Sequence, residues 1–223
     1  MKKKLLSFGI ALIYCLLSLF PAEAKTILPI QTELSIDSVA CHTYRATIDD
    51  YNEEDNSLII SIYDIESFPV EEVTSLISGD TIVVTEKWTQ KKMNHLIQTI
   101  EFFESGYICE INFSPTDTEG PLKLRQDSRG NVFQPERYGV PIWVRIGTRC
   151  FSLSDKFLFL DGTTITTHDP QIIPTVYTAK DFFSLVKYQR EKVDVGFDIY
   201  NTLVVFNELE EVALIYRFFV DWQ

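Results

Sequence analysis

The chain has 223 residues, of which 32 are acidic and 20 basic, giving a formal net charge of −12 at pH 7. That balance repels nucleic-acid phosphates and anionic lipid headgroups, so neither is an expected partner. With 45% hydrophobic residues the chain can build a real core, as one large domain or two small ones.

The first residues follow the plan of a cleavable export signal. Lys2, Lys3 and Lys4 form the charged start, and Leu5 to Phe20 is an apolar run broken only by Ser7, Gly9 and Ser18. Pro21-Ala22-Glu23-Ala24 then presents small residues at the two positions a signal peptidase reads, so residues 1–24 are expected to be removed. The apolar run falls short of the roughly 20 residues a bilayer span needs, which argues against an uncleaved anchor. Cys15 follows Tyr14, whereas a lipid-modified cysteine needs a small residue before it. Losing three Lys and one Glu moves the net charge from −12 to −14 in a mature chain that begins at Lys25. No second long apolar segment follows, so no stable membrane insertion is expected. The expected location is exported: periplasm, cell surface or secreted.

Residues 25–40 show no clear period and read as an extended lead-in. From Cys41 the pattern alternates, with His42, Tyr44, Ala46 and Ile48 on one face and Thr43, Arg45 and Thr47 on the other. The acidic turn Asp49 to Asn56 leads to a second strand through Leu58, Ile60 and Ile62, which makes a hairpin. A short helix is expected next. Ser67 can cap it, Pro69 suits its first turn, Val70, Val73, Leu76 and Ile77 share a face, and Gly79 can end it. Strands are expected at Thr81 to Trp88, His95 to Phe103 and Tyr107 to Phe113, with a turn at Gln90 to Asn94. A strand pair followed by a short helix ending in Leu76-x-x-Gly79-Asp80 and more strands resembles the wiring of small closed β-barrel modules. The motif names no family, and no function is carried over from it.

Ser114 to Pro121, with two Pro, one Gly and small polar residues, reads as a boundary. It divides the mature chain into subdomains 25–117 and 118–223. The second is expected to hold strands at Leu122 to Gln126, Pro141 to Ile146, Arg149 to Leu153 and Phe157 to Leu160. Turns are expected at Ser128 to Asn131, Asp161-Gly162 and Asp169-Pro170. A second helix opens near Thr178, where Thr178 and Asp181 have capping-box spacing and Phe182, Leu185 and Val186 give an apolar face. A terminal hairpin joins Thr202–Phe206 to Val212–Val220, with Val212, Leu214, Tyr216, Phe218, Val220 and Trp222 as its apolar face. An outer-membrane barrel would need many strands of about 10 alternating residues, and these runs are mostly shorter. The fold class is therefore mainly β, an α+β chain with two short helices. Its antiparallel strands are expected in small barrel or sandwich-like subdomains.

The side chains that carry chemistry form no recognisable motif. Asp49-Asp50-Tyr51-Asn52-Glu53-Glu54-Asp55 is the densest oxygen cluster, but a calcium loop counted from Asp50 would need Gly where Asp55 stands and Glu where Ser61 stands. It reads as a solvated hairpin tip. Cys41 and His42 are neighbours on one strand and cannot pair with each other, so a thiol nucleophile there would need His95 or His168 as its base. The three histidines lack the spacing of a zinc site, and no Gly-x-Ser-x-Gly elbow is present. A carboxylate pair acting on a glycoside leaves no local trace.

Cys41, Cys109 and Cys150 read as buried small hydrophobes, with Cys109–Cys150 the first choice if a bridge forms. Trp88, Trp143 and Trp222 read as sheet core, or as a binding face if exposed. Arg125, Arg129, Arg137, Arg145 and Arg149 read as surface partners for the excess carboxylates, or as an anion-binding patch. No catalytic residue, cofactor-binding residue or metal ligand is assigned. The expected function is a non-enzymatic binding module of the cell envelope, with a protein or carbohydrate partner. The alternatives are a hydrolase working through carboxylates and a structural component of an extracellular assembly.

Overall fold

The computed structural model describes residues 24–30, 36, 39–86, 89–112, 121–137, 139–163, 173–190 and 196–218. The expected export signal up to Glu23, Trp88, Trp222, His168 and the expected turn at Asp169-Pro170 lie outside these residues.

The chain is mainly β and rich in antiparallel pairs, with two α-helices among the described residues. Thr43–Asn52 (β2) and Ser57–Ile65 (β3) form the expected hairpin. Far along the chain, Trp143–Gly162 (β12) pairs antiparallel with β3 over its first half. Its second half runs parallel to Val212–Phe218 (β15). Thr202–Phe206 (β14) pairs antiparallel with β15 and with β2, which closes the circuit. Numbered within the ring, the strand order is first, second, third, fifth, fourth and back to first, and helix α2 (Ala179–Arg190) lies between the third and fourth. That is the circuit of the five-stranded Greek-key barrel of the OB type. Thr175–Tyr177 (β13) adds to the far edge of β12.

The barrel interior is filled from all five strands, including Tyr44, Ala46, Ile60, Ile62, Phe151, Phe159, Val204 and Ile215. Helix α2 supplies Phe182, Phe183 and Val186 to the same core, where Phe182 makes edge contacts with Phe157, Phe159 and Phe197. Its start follows the expected capping pair, since Thr178 Oγ1 donates to Asp181 at 2.9 Å. Ile36 of the lead-in packs against Gly147, where an added Cβ would sit 3.1 Å from its side chain, so a larger residue there requires Ile36 to shift by a few tenths of an ångström.

Everything between the second and third barrel strands, residues 66–142, is an insertion with its own core of Phe68, Val73, Ile82, Ile97, Cys109, Leu124 and Phe133. It contains Phe68–Pro69 (β4), helix α1 (Val70–Thr74), Thr81–Thr85 (β5), Lys92–Leu96 (β6), Ile100–Phe103 (β7), Ile108–Ile111 (β8), Leu122–Gln126 (β9), Val132–Arg137 (β10) and Val140–Pro141 (β11). Strands β7 to β11 form one sheet in reverse order, with β4 added on β10. Thr26–Ile27 (β1), β5 and β6 form another. β1 lies parallel to β5 and buries Ile27 in the insertion core.

The barrel draws β2 and β3 from residues 25–117 and β12, β14 and β15 from residues 118–223. Several expectations about single elements are corrected. β8 and β9 pair side by side, Ile111 opposite Leu122, and residues 113–120 of the expected boundary lie outside the described residues. The first helix is one turn and a half, Ser67 does not cap it, and Ile77 is 53% exposed rather than on the buried face. The turn expected at Gln90 to Asn94 begins earlier, and Lys92, Met93 and Asn94 are in β6. The expected strand from His95 to Phe103 is two strands, β6 and β7. The three short runs expected between Pro141 and Leu160 are one 20-residue strand, with bulges near Gly147 and between Leu153 and Leu158. The expected apolar face of the last strand is reversed. Phe206 pairs with Val212 but Val205 with Leu214, so a bulge shifts the phase. Ile215 and Arg217 then point into the barrel, and Leu214, Tyr216 and Phe218 lie on its outer side.

Candidate binding face

Strand alternation fixes what the barrel shows outward. Tyr44 and Ala46 face in, so Arg45 faces out. Register then places Tyr63 opposite Arg45, Arg145 opposite Tyr63, Leu203 opposite Arg45, and Tyr216 opposite Leu203. Trp143 lies opposite Ile65 on the same outer side. The guanidinium of Arg45 lies 4.6 Å from the Phe218 ring centre and 5.7 Å from that of Trp143, a cation held between two aromatic faces. It also donates to the Tyr200 carbonyl at 3.2 Å. Burial lowers the Arg45 pKa, and the Asp198 charge partly offsets that. Tyr216 and Phe218 touch ring to ring at 5.7 Å.

The next row on this face is polar. Thr47, Ser61 and Thr148 stand side by side on β2, β3 and β12. The bulge near Gly147 brings both Arg145 and Thr148 outward. The Ser61 hydroxyl donates to Asp49 at 2.5 Å and lies 2.5 Å from the Thr148 hydroxyl, and Thr47 donates to Asp49 at 2.7 Å. Ser61 is buried beneath this network, while Thr148 and Asp49 are exposed.

The insertion buttresses one end of the face. The Gln90 side chain donates to the Trp143 carbonyl at 3.1 Å and accepts from the Arg145 amide at 3.0 Å, so the backbone that carries Trp143 and Arg145 is held from both sides. Glu66, at the chain's exit from the barrel, is buried and accepts from the Thr85 amide and hydroxyl. Burial raises its pKa, and the Thr85 bonds and the Lys92 charge only partly counter that. Tyr44 faces the barrel core and feels the charge of Asp64 on the neighbouring strand. Burial raises the pKa of both, the Asp64 charge adds to the shift on Tyr44, and among the described residues the Tyr44 hydroxyl has no hydrogen-bond partner.

The structure disperses the other side chains that drew attention in the sequence. Cys41 is exposed in a left-handed turn before β2, and the His42 Nδ1 lies 2.6 Å from the Ala40 carbonyl oxygen. His95 is on β6 in the insertion, where burial and the Arg137 charge lower its pKa, so it is not brought to Cys41. Cys109 is buried in the insertion core and its pKa is pushed up to about 12 by burial and the Glu110 charge. Cys150 is exposed on β12, so Cys41 and Cys150 are not the buried hydrophobes expected, and all three described thiols are free. In the acidic turn, the Asn52 side chain accepts from the Glu54 amide at 3.0 Å and donates to Asp55, which organises a hairpin tip. Among the described residues no group of three or more His, Cys, Asp and Glu side chains converges as a metal site would require. The arginines are spread: Arg125 pairs with Glu136 at 2.9 Å, Arg149 with Glu210 at 2.8 Å, and Arg145 belongs to the outer barrel face.

What sequence reasoning missed is the outer aromatic group. Tyr216 and Phe218 carry only the alternation of an apolar strand face, Arg45 only its place on the polar face of β2, and Tyr63 gives no signal of its own. Comparison with known proteins finds no matching family model, no matching curated protein and no matching solved structure.

Proposed function

We propose that this chain is an exported, non-enzymatic binding module, cut after Ala24, which holds a neutral carbohydrate on the outer barrel face. The observation that carries the reading is the group of half-buried outward aromatics, Tyr63, Trp143, Tyr216 and Phe218, around Arg45, beside the hydroxyl and carboxylate row of Thr47, Asp49, Ser61 and Thr148. Flat rings offer apolar contact to the C–H face of a sugar ring, and the adjacent row both donates and accepts hydrogen bonds to its hydroxyls. The place of the site also fits by fold-level analogy. In OB-type barrels the second and third strands carry the binding face, and here those are β3 and β12, with Tyr63, Trp143 and Arg145. A neutral ligand suits a chain of net charge −14 after the cut, whose long-range field disfavours anions.

The test is titration of the mature protein with neutral oligosaccharides, followed by calorimetry and tryptophan fluorescence. Trp143→Ala and Tyr63→Ala, each confirmed folded by circular dichroism, are expected to weaken binding about tenfold or more, as truncated aromatic anchors do. Binding that both variants leave intact, or no binding by any neutral glycan, would overturn the assignment.

A further inference from the structure

Asp80 is 2% exposed, and the group it faces is the backbone nitrogen of Lys25. One carboxylate oxygen accepts from that nitrogen at 2.9 Å, and the other accepts from the Ile77 amide at 2.9 Å. Around this contact the chain is pinned by several bonds. The Lys25 carbonyl accepts from the Thr81 amide at 2.8 Å, and the Lys25 Nζ donates to the Ser75 hydroxyl at 2.6 Å and the Glu72 carbonyl at 3.3 Å. Thr26 and Ile27 then enter the sheet beside β5. Ala24, one residue earlier, is exposed.

We infer that Asp80 is a receptor for the mature α-ammonium group of Lys25; the inference rests on the reading that the chain is cut after Ala24. Hydrolysis of the Ala24–Lys25 amide consumes one water. The carboxylate leaves with the leader, and the nitrogen stays behind with three hydrogens and a full positive charge. In the uncut chain a buried carboxylate meets a neutral N–H there. In the cut chain the same 2.9 Å contact is an ion pair, which matches the buried carboxylate with an opposite charge. Processing thereby changes the strength with which β1 is held on β5, with no movement of the backbone. The recognition is of the N-terminal amine-capture type, made within one chain.

The experiment compares two proteins that differ by one residue: one beginning at Lys25, one beginning at Ala24. Thermal melting is expected to be higher by a few degrees for the Lys25 start. Acylation of its α-amine at pH 7 is expected to be about tenfold slower than for the Ala24 start. Asp80→Asn is expected to erase both differences. If Asp80→Asn fails to fold, acetylation of the Lys25 α-amine in the otherwise unchanged protein is the second arm, and it is expected to lower the melting temperature to that of the Ala24 start. Equal melting and equal labelling of the two starts would overturn the inference. Intact-mass analysis of the native protein separately decides whether the cut falls after Ala24, so failure of the export reading and failure of the Asp80 role are distinguishable.

Discussion

Arg217 is 1% exposed inside the barrel, where a guanidinium is tolerated only with its charge matched. Asp161 matches it through two bonds, Nε to Oδ1 at 3.2 Å and Nη2 to Oδ2 at 2.7 Å, while the rings of Phe197 and Phe159 flank the cation. Removing one partner leaves the other charge buried, so Arg217→Met is expected to cost about 3–5 kcal/mol in urea unfolding, and Arg217→Met with Asp161→Leu to recover much of it. Burial alone would raise the Asp161 carboxyl, but the bonds and charge of Arg217, with Thr163, hold it below the usual range. Its contribution is therefore present above the unfolded value of about 4 and is lost as pH falls through the lower folded value. Glu66 has the opposite sign. Its folded pKa is raised, so stability is greatest below the unfolded value of about 4.3 and declines as pH rises through the folded one. Glu66→Gln is expected to flatten that decline, read as a smaller difference in urea midpoint between pH 4.5 and pH 8.

At the scale of elements, the strands most legible in the sequence are those whose pairing is local. The β2–β3 hairpin and the β14–β15 hairpin carry alternation and polar tips, and both form where expected. β10 was invisible because Pro135, Gln134, Glu136 and Arg137 look like loop; it is recruited by β9 and β4 on either side. The face of β15 is not legible in the sequence because a bulge at Ala213 shifts the phase, and no local residue announces it; the partner that makes Arg217 acceptable indoors lies 56 residues away. The aromatic face was illegible for the same reason, since its members come from β2, β3, β12, β14 and β15. Helix α2 was readable because Thr178, Asp181, Phe182 and Val186 follow helical spacing in one short stretch. Phe182 contacts four aromatic rings in the barrel core. Phe182→Ala is accordingly expected to cost about 3–5 kcal/mol, measured by denaturant unfolding.

For the whole molecule, two kinds of connectivity meet. The insertion is contiguous apart from β1, and most of its strands pair with sequence neighbours. The barrel depends on long-range contact, with Arg45 bonded to a carbonyl 155 residues away. Chains pay loop-closure entropy before such contacts form, so the insertion should order first. Pulse-labelled hydrogen exchange during refolding is expected to protect β5, β9 and β10 before β2, β14 and β15; simultaneous protection would show the two cores forming as one unit.

The position of β15 between β12 and β14 has a consequence for biogenesis. Of the five barrel strands, the β14–β15 hairpin leaves the ribosome last. Until then β2 and the far half of β12 each have a bare backbone edge, and Ala46 and Phe159 lack their lid. Nascent chains stalled or truncated before β14 should therefore be the ones that holdases seize and proteases clear, although three of the five barrel strands are already made.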